Sequence, residues 1–386
     1  MLSQVPSTQQ WLSQFMPEHR KTASLLLDSL QVISSEEMRN DLKVMIEGLA
    51  EEANEKAVLL PIREVEDDES IYDLEDQTSP PTLQASQESL GSEAFISNLY
   101  TELSRDKPLQ FLQERVEGRA YSPSIAFMRE NKFKHLFLVD DLIGSGDRVV
   151  AYLNALFKHR TINSWVSYGY LKVHIVSYMA TSKGEAVVSK AVNRRKNVDL
   201  NIMYSAPSIS DLPASQSILE LCKAYAKKGT RYPVGYKDSA VRVVFTHSAP
   251  NNLPSILHQN VHKKYRAQNV PLMKAKQWLA LFPRRAIPNQ FKQDVDALKV
   301  RTSIRYDLLN LLTLISEDIS SRQTLAVFMN KPAAYVQTLI ELGEKLQFIV
   351  KDGVTITITG RGRDELESRA VCTYHVEKKV NFYYPA

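Results

Sequence analysis

A chain of 386 residues that is 44% hydrophobic and 24% charged has an ordinary globular composition and is long enough for two or three domains. It has no run of eighteen apolar residues, which excludes a transmembrane helix, and no basic stretch followed by an apolar core at its start, which argues against a secretory signal. Cys222 and Cys372 stand far apart in unlike contexts, so neither a disulfide scaffold nor a zinc site is indicated, and a cytoplasmic protein is expected. The formal net charge of +4 is unevenly spread. Residues 1–80 hold 17 Asp or Glu against 6 Lys or Arg, whereas residues 260–305 hold 11 Lys or Arg against Asp294 and Asp296 alone. The front is acidic and the back is basic.

Residues 9–15 and 21–30 carry apolar side chains at helical spacing. Ser34-Ser35-Glu36-Glu37 reads as a helix start with carboxylates in its first turn, continuing through Leu42, Met45, Ile46 and Leu49. Together these form an expected helical lead-in, residues 1–55. Lys56 to Arg63 predicts a first strand. The acidic stretch Glu64 to Asp76 and the Ser/Pro/Gln-rich stretch Gln77 to Ser89 predict a solvated loop or short disordered insertion over 64–89. An amphipathic helix is expected over 91–103, helix again over 110–117, and a short helix near Met128.

The central stretch is Leu136-Phe-Leu-Val-Asp140-Asp141-Leu-Ile-Gly144-Ser145-Gly146-Asp147-Arg148. The apolar run from Leu136 to Val139 predicts a strand buried on both faces, ending in two carboxylates. A glycine turn follows, then a helix through Phe157. In an open α/β sheet, ligands bind at the carboxyl ends of strands, and the unpaired amides of the next helix favour an anion. Gly144, Ser145, Gly146, Asp147 and Arg148 are therefore candidates to hold a phosphate. Asp140 and Asp141 could accept hydrogen bonds from two ribose hydroxyls, or hold Mg2+ through water.

This segment resembles the phosphoribosyl pyrophosphate signature of type I phosphoribosyltransferases: apolar strand, Asp-Asp, three residues, Thr or Ser, Gly, one residue, then Thr or Ser. Asp140, Asp141, Ser145 and Gly146 match, and Arg148 stands at the last hydroxyl position. The form Asp-Asp-Leu-Ile-Gly-Ser-Gly is most similar to the phosphoribosyltransferase-like domains of bacterial conflict (anti-phage) systems, some of which accompany retron reverse transcriptases. The resemblance implies an α/β fold with a mainly parallel sheet and a ligand that is phosphoribosyl pyrophosphate, ribose phosphate or a nucleotide. It implies Mg2+ if the site is active, with Asp140 and Asp141 as catalytic and metal-binding residues, and a reverse transcriptase or other defence-system protein as partner. In such enzymes the turn after an early strand holds pyrophosphate. Here that turn is crowded with carboxylates, and only Arg63 opposes them.

Further strands are expected at 171–178, 198–204 and 240–246, separated by helices at 182–192 and 216–227, which argues a mainly parallel sheet covered on both faces. The turn after the last of these carries His247, Asn251 and Asn252, secondary candidates for the same pocket. These elements make a phosphoribosyltransferase-like domain over 56–260, followed by a basic connector, 261–300, with Tyr265 and Trp278 interleaved. Helices at 304–315, 320–328 and 331–345, then two strands about the turn Asp352-Gly353, predict a winged helix over 301–370, with a tail at 371–386. Lys331, Gln337, Thr338, Lys345, Arg361 and Arg363 are its candidate nucleic-acid contacts. Three functions remain open on the sequence: a phosphoribosyl-transferring or N-glycosidic-bond-cleaving effector, a nucleotide sensor acting through the winged helix, and a partner-binding adaptor with an empty pocket.

Overall fold

The computed structural model describes residues 1–51, 55–82, 92–117, 119–212, 214–262, 277–301, 304–329, 333–353 and 355–370. The chain divides into two compact units, one over Leu2–Asn289 and one from Gln290 onward.

The first unit opens with helices α1 (Pro6–Ser13) and α2 (Pro17–Ser29), each with proline in its first turn, where the missing N–H costs no hydrogen bond. Strand β1 (Gln31–Ile33), helix α3 (Ser35–Glu51), strand β2 (Ala57–Pro61) and helix α4 (Ser92–Asp106) follow. Next comes an antiparallel pair, β3 (Glu114–Val116) and β4 (Arg119–Tyr121), where spacing predicts a helix over 110–117. Tertiary bonds override the local pattern there. The Gln110 side chain donates to Ala50 O at 2.9 Å, and the Gln110 backbone carbonyl accepts from Ala57 N at 2.8 Å. Then come α5 (Ile125–Glu130), β5 (His135–Ile143), α6 (Asp147–Phe157), α7 (Arg160–Ser167), β6 (Lys172–Ala180), α8 (Ser182–Val192), β7 (Val198–Ser205), α9 (Ser215–Tyr225), β8 (Val243–Phe245) and α10 (Ser255–His258). A short antiparallel pair, β9 (Val261–His262) and β10 (Gln277–Trp278), closes the unit.

The main sheet is parallel throughout, in the order β2-β5-β6-β7. Strand β5 is buried along its whole length, which is why it reads as an unbroken apolar run. Leu138 at its centre faces Leu60 on one side and Ile175 on the other. Helices cover the sheet with Met38, Leu42 and Ile46 of α3, Leu99 and Leu103 of α4, Val149 and Leu153 of α6, and Val188 of α8, all in one core. Helix α3 of the expected lead-in is thus part of the sheet domain's own core. The expected strand at 240–246 shrinks to three residues, and it pairs with β1 in a separate two-stranded sheet, Val244 opposite Val32.

One further expectation is refined and one is corrected. Residues 64–82 form an irregular loop with most of its carboxylates exposed, as expected, but Ile71 and Tyr72 anchor it in the core; residues 83–91 lie outside the described ones. Trp278 is buried in an aromatic cluster with Trp11, Phe15 and Tyr225, at 6.0, 5.0 and 5.5 Å between ring centroids, instead of standing on a basic surface. The indoles of Trp11 and Trp278 both donate to Ile256 O, at 3.2 and 3.0 Å. Tyr265 lies outside the described residues.

The second unit contains α11 (Asn289–Arg301), α12 (Ile304–Ser316), α13 (Arg322–Phe328), α14 (Ala333–Lys345), strands β11 (Ile349–Asp352) and β12 (Thr355–Ile358), and α15 (Gly360–Ala370). The strands pair antiparallel, Asp352 opposite Thr355, with Gly353 at a φ of 59° in the turn. Leu311, Leu325, Val336, Ile340, Ile349 and Ile356 share one core. Among the described residues of the chain, no helix is long and apolar enough to cross a membrane.

Candidate functional site

Strand β5 does not stop at Val139. It runs through the acidic pair to Ile143, with Asp140 opposite Ser177 and Leu142 opposite Met179 on β6. Both carboxylates are therefore held inside the sheet edge, Asp140 at 1% and Asp141 at 7% exposure. Gly144, Ser145 and Gly146 then turn the chain into α6, with Gly146 at a φ of 83°, a left-handed conformation that suits glycine. The amides of Ser145 and Gly146 make no hydrogen bond among the described residues. They stand at the start of an eleven-residue helix, where an anion is favoured.

The loop is clamped from two sides. Thr181, which caps α8 by accepting from Gly184 N at 3.0 Å, donates its hydroxyl to Gly144 O at 2.5 Å. Gly184 packs so closely that an added Cβ would lie 2.4 Å from Gly144 O. On the other side Asn252 is pressed against Gly144, where a Cβ would meet its amide nitrogen at 2.3 Å, and donates to Ser239 Oγ at 2.9 Å. Asn252 thus positions the loop, while Asn251 is exposed on the cleft wall. Thr181 and Gly184 carried no signal in the sequence, because a helix cap and a close approach across two β–α units look like ordinary turn residues.

The carboxylates are already engaged. Arg148 Nη2 lies 2.5 Å from Asp140 Oδ1 and 3.7 Å from Asp141 Oδ1. His247 Nε2 lies 3.0 Å from Asp141 Oδ2, its ring stacked between Phe95 and Phe245 at 5.5 and 5.3 Å. Burial lifts Asp140 to about 7, against the pull of Arg148 and with the push of Asp141. Burial also acts upward on Asp141, but the hydrogen bond and charge of His247, with the charge of Arg148, outweigh it and bring Asp141 down to about 2. Asp140 Oδ2 is buried without a partner among the described residues. At the loop, Ser145 Oγ donates to Asp147 Oδ2 at 2.6 Å, and Lys237 Nζ lies 2.5 Å from the same oxygen.

A raised Asp140 makes a pH prediction. Its folded value of about 7 lies above an unfolded one of about 4, so its contribution to stability is full below pH 4 and is lost as pH rises to 7. Asp140→Asn removes that slope. Denaturant unfolding from pH 4 to 8 should therefore show the variant gaining steadily on the wild type up to about pH 7, and a constant difference would refute the assignment.

Magnesium fits this arrangement poorly. The Arg148 guanidinium holds the cation's place between the two carboxylates, and Asp141 is also shared with His247.

The cleft over this edge encloses about 580 Å³ and is lined by Glu64, Asp140 to Arg148, Tyr236, His247, Asn251, Arg284 and Arg285, among others. Arg63 does not reach it. Its guanidinium is turned inward, donating to Thr82 O at 3.0 Å and Glu64 O at 2.9 Å and pairing with Glu69 at 2.5 Å. The structure thus joins His247, Asn251 and Asn252 to the acidic pair and separates Arg63 from it. Arg284 and Arg285 were hidden in the sequence by the basic connector around them.

In the second unit Lys331 lies outside the described residues. Gln337 donates to Glu341 at 3.0 Å, Thr338 to Ala334 O at 3.2 Å, and Arg361 to Gln347 at 3.1 Å, while Lys345 and Arg363 are exposed. Residues 304–370 hold 8 Lys or Arg against 9 Asp or Glu, so their net charge does not favour nucleic acid. Val327 and Phe328, at 77% and 63% exposure, stand out on α13.

A protein-family model described as PRTase-CE matches residues 8–284. That span covers most of the first unit, including the acidic pair, the glycine loop and the His247 turn. No curated protein matches the chain.

Proposed function

This chain belongs to the PRTase-CE family, and from that premise we propose that it binds a phosphoribosyl compound or nucleotide at the Asp140 to Arg148 edge of its parallel sheet. The observation that carries this reading is the pairing of two unbonded loop amides at a helix start with a buried acidic pair one turn away. The amides receive the 5-phosphate. Entry of that dianion draws Arg148 off Asp140, and the freed carboxylates accept the ribose hydroxyls. The role we assign is that of effector or regulator in a bacterial anti-phage system of the retron type, with a reverse transcriptase or another defence protein as partner. It rests on the likeness of the Asp-Asp-Leu-Ile-Gly-Ser-Gly segment to such domains. We assign no step to magnesium, because Arg148 supplies the positive charge.

Calorimetric titration with phosphoribosyl pyrophosphate, ribose 5-phosphate and common nucleotides, with and without magnesium, tests this. Binding should persist without magnesium and vanish in Asp140→Asn/Asp141→Asn. No binding of any of these by the folded wild type would overturn the reading, and turnover of a bound ligand would establish an enzyme.

A second reading places the activity in the C-terminal unit, as a winged helix that docks a partner while the pocket senses a nucleotide. The exposed Val327 and Phe328, together with the balanced charge of the unit, favour a protein partner over nucleic acid.

A further inference from the structure

We infer that Arg284 and Arg285 form a second anion site in the cleft, so that its ligand carries another phosphate besides the one held by the Gly144–Arg148 loop. The inference rests on the phosphosugar reading above and adds to it. Both arginines line the cleft, and neither guanidinium has a partner among the described residues. Arg148, the other arginine that lines the cleft, pairs with the acidic residues and is taken over by the 5-phosphate, so it is not spare for a second anion. The turn after β2 offers no cation to a second anion. Glu64 presents a carboxylate to the cleft from that turn, and Arg63 is turned into the body. A second anion is left with the arginines of residues 283–285.

That turn is held firmly enough to present them. Arg284 and Arg285 have φ of 53° and 65°, a region costly for residues with a Cβ. Backbone bonds keep them there: Arg285 N donates to Phe282 O and Ala249 N to Arg285 O, both at 2.9 Å. Phe282 is fully buried, and its own amide donates to Leu257 O at 2.8 Å. Two neighbouring guanidiniums on a fixed turn match a phosphate better than flexible lysines would.

The second phosphate has two chemical sources, a pyrophosphate on the sugar's first carbon or a monophosphate on its 3-hydroxyl. Full-length protein and an Arg284→Gln/Arg285→Gln variant would be titrated with inorganic pyrophosphate, ribose 5-phosphate, phosphoribosyl pyrophosphate and adenosine 3′,5′-bisphosphate. Pyrophosphate should bind the wild type and weaken roughly tenfold to a hundredfold in the variant. Ribose 5-phosphate should change by less than about twofold, since it lacks the second group. The larger ligand that shows the same loss as pyrophosphate gives the position of the second phosphate. The arginines have no partner to lose, so thermal unfolding should be unchanged, and Arg284→Lys/Arg285→Lys should keep part of the pyrophosphate affinity.

Failure of the wild type to bind pyrophosphate, pyrophosphate affinity unchanged by the substitution, or equal losses for ribose 5-phosphate would each overturn the second site. If ribose 5-phosphate fails to bind while pyrophosphate binds through the arginines, the anion site stands and the phosphosugar reading falls.

Discussion

Arg148→Met is expected to lower folding stability by about 3 kcal/mol at pH 8, among the largest losses for a substitution near the cleft. Removing one partner of a buried ion pair strands the other, and losses of about 3–5 kcal/mol are typical. The lower end applies because a third of the Arg148 side chain remains in water, at 35% exposure. What is stranded is an adjacent pair of carboxylates, of which Asp140 is 1% exposed. The loss should shrink at pH 5, since Asp140, already raised, takes up a proton more readily without its guanidinium. Asp140→Asn in the Arg148→Met background should recover part of the stability, giving a favourable coupling between the two sites. Urea unfolding of the four proteins in this cycle checks the claim. Additive losses would mean that the pair does not act as a unit.

Gly184→Ala should be costly for a purely steric reason. The new Cβ would stand 2.4 Å from Gly144 O and 2.7 Å from Ile143 O, and both are backbone atoms at the end of β5. Neither can rotate away, so α8 must lift or the phosphate loop must shift. Overpacking of this kind costs about 1–3 kcal/mol. Ribose 5-phosphate affinity should fall as well, because the moved atoms belong to the loop that receives the phosphate. Gly48→Ala is the control. It lies in α3 with nothing within 4 Å of the added methyl, and it should raise stability by about 0.5–1 kcal/mol. Thermal unfolding of both variants separates crowding from helix propensity. A Gly184→Ala protein as stable as the wild type would show that the clamp yields.

The sequence made β5 legible because a strand buried on both faces leaves a continuous apolar run, and α6 legible because its apolar positions repeat at 3.6 residues. The turn at Asp352-Gly353 was equally plain, since glycine there supplies the positive φ. Pairing partners were not. Nothing in Val243–Phe245 says that it joins Gln31–Ile33 and leaves the main sheet alone, because periodicity reports which faces are buried and never against what. The acidic stretch after Arg63 was legible only in part, for a related reason. Its composition is that of a solvated loop, yet Ile71, Tyr72 and the inward guanidinium of Arg63 anchor it. At the site, the acidic pair and glycine loop could be read because they are contiguous. The clamp of Thr181, Gly184 and Asn252, and the turn of Arg284 and Arg285, come from distant segments and became visible only once those were placed side by side.

That dispersal has a consequence in time. Asp141 and the His247 that holds it are 106 residues apart, and at roughly 5–20 residues per second a ribosome needs about 5 to 20 s to travel between them. During that interval β5 and its loop already exist, but the carboxylate lacks its histidine and Gly144 lacks Asn252. Trp11 waits longer still for Trp278. The cleft is thus among the last parts of the first unit to be completed, so an interrupted chain would carry the signature of the site without its shape.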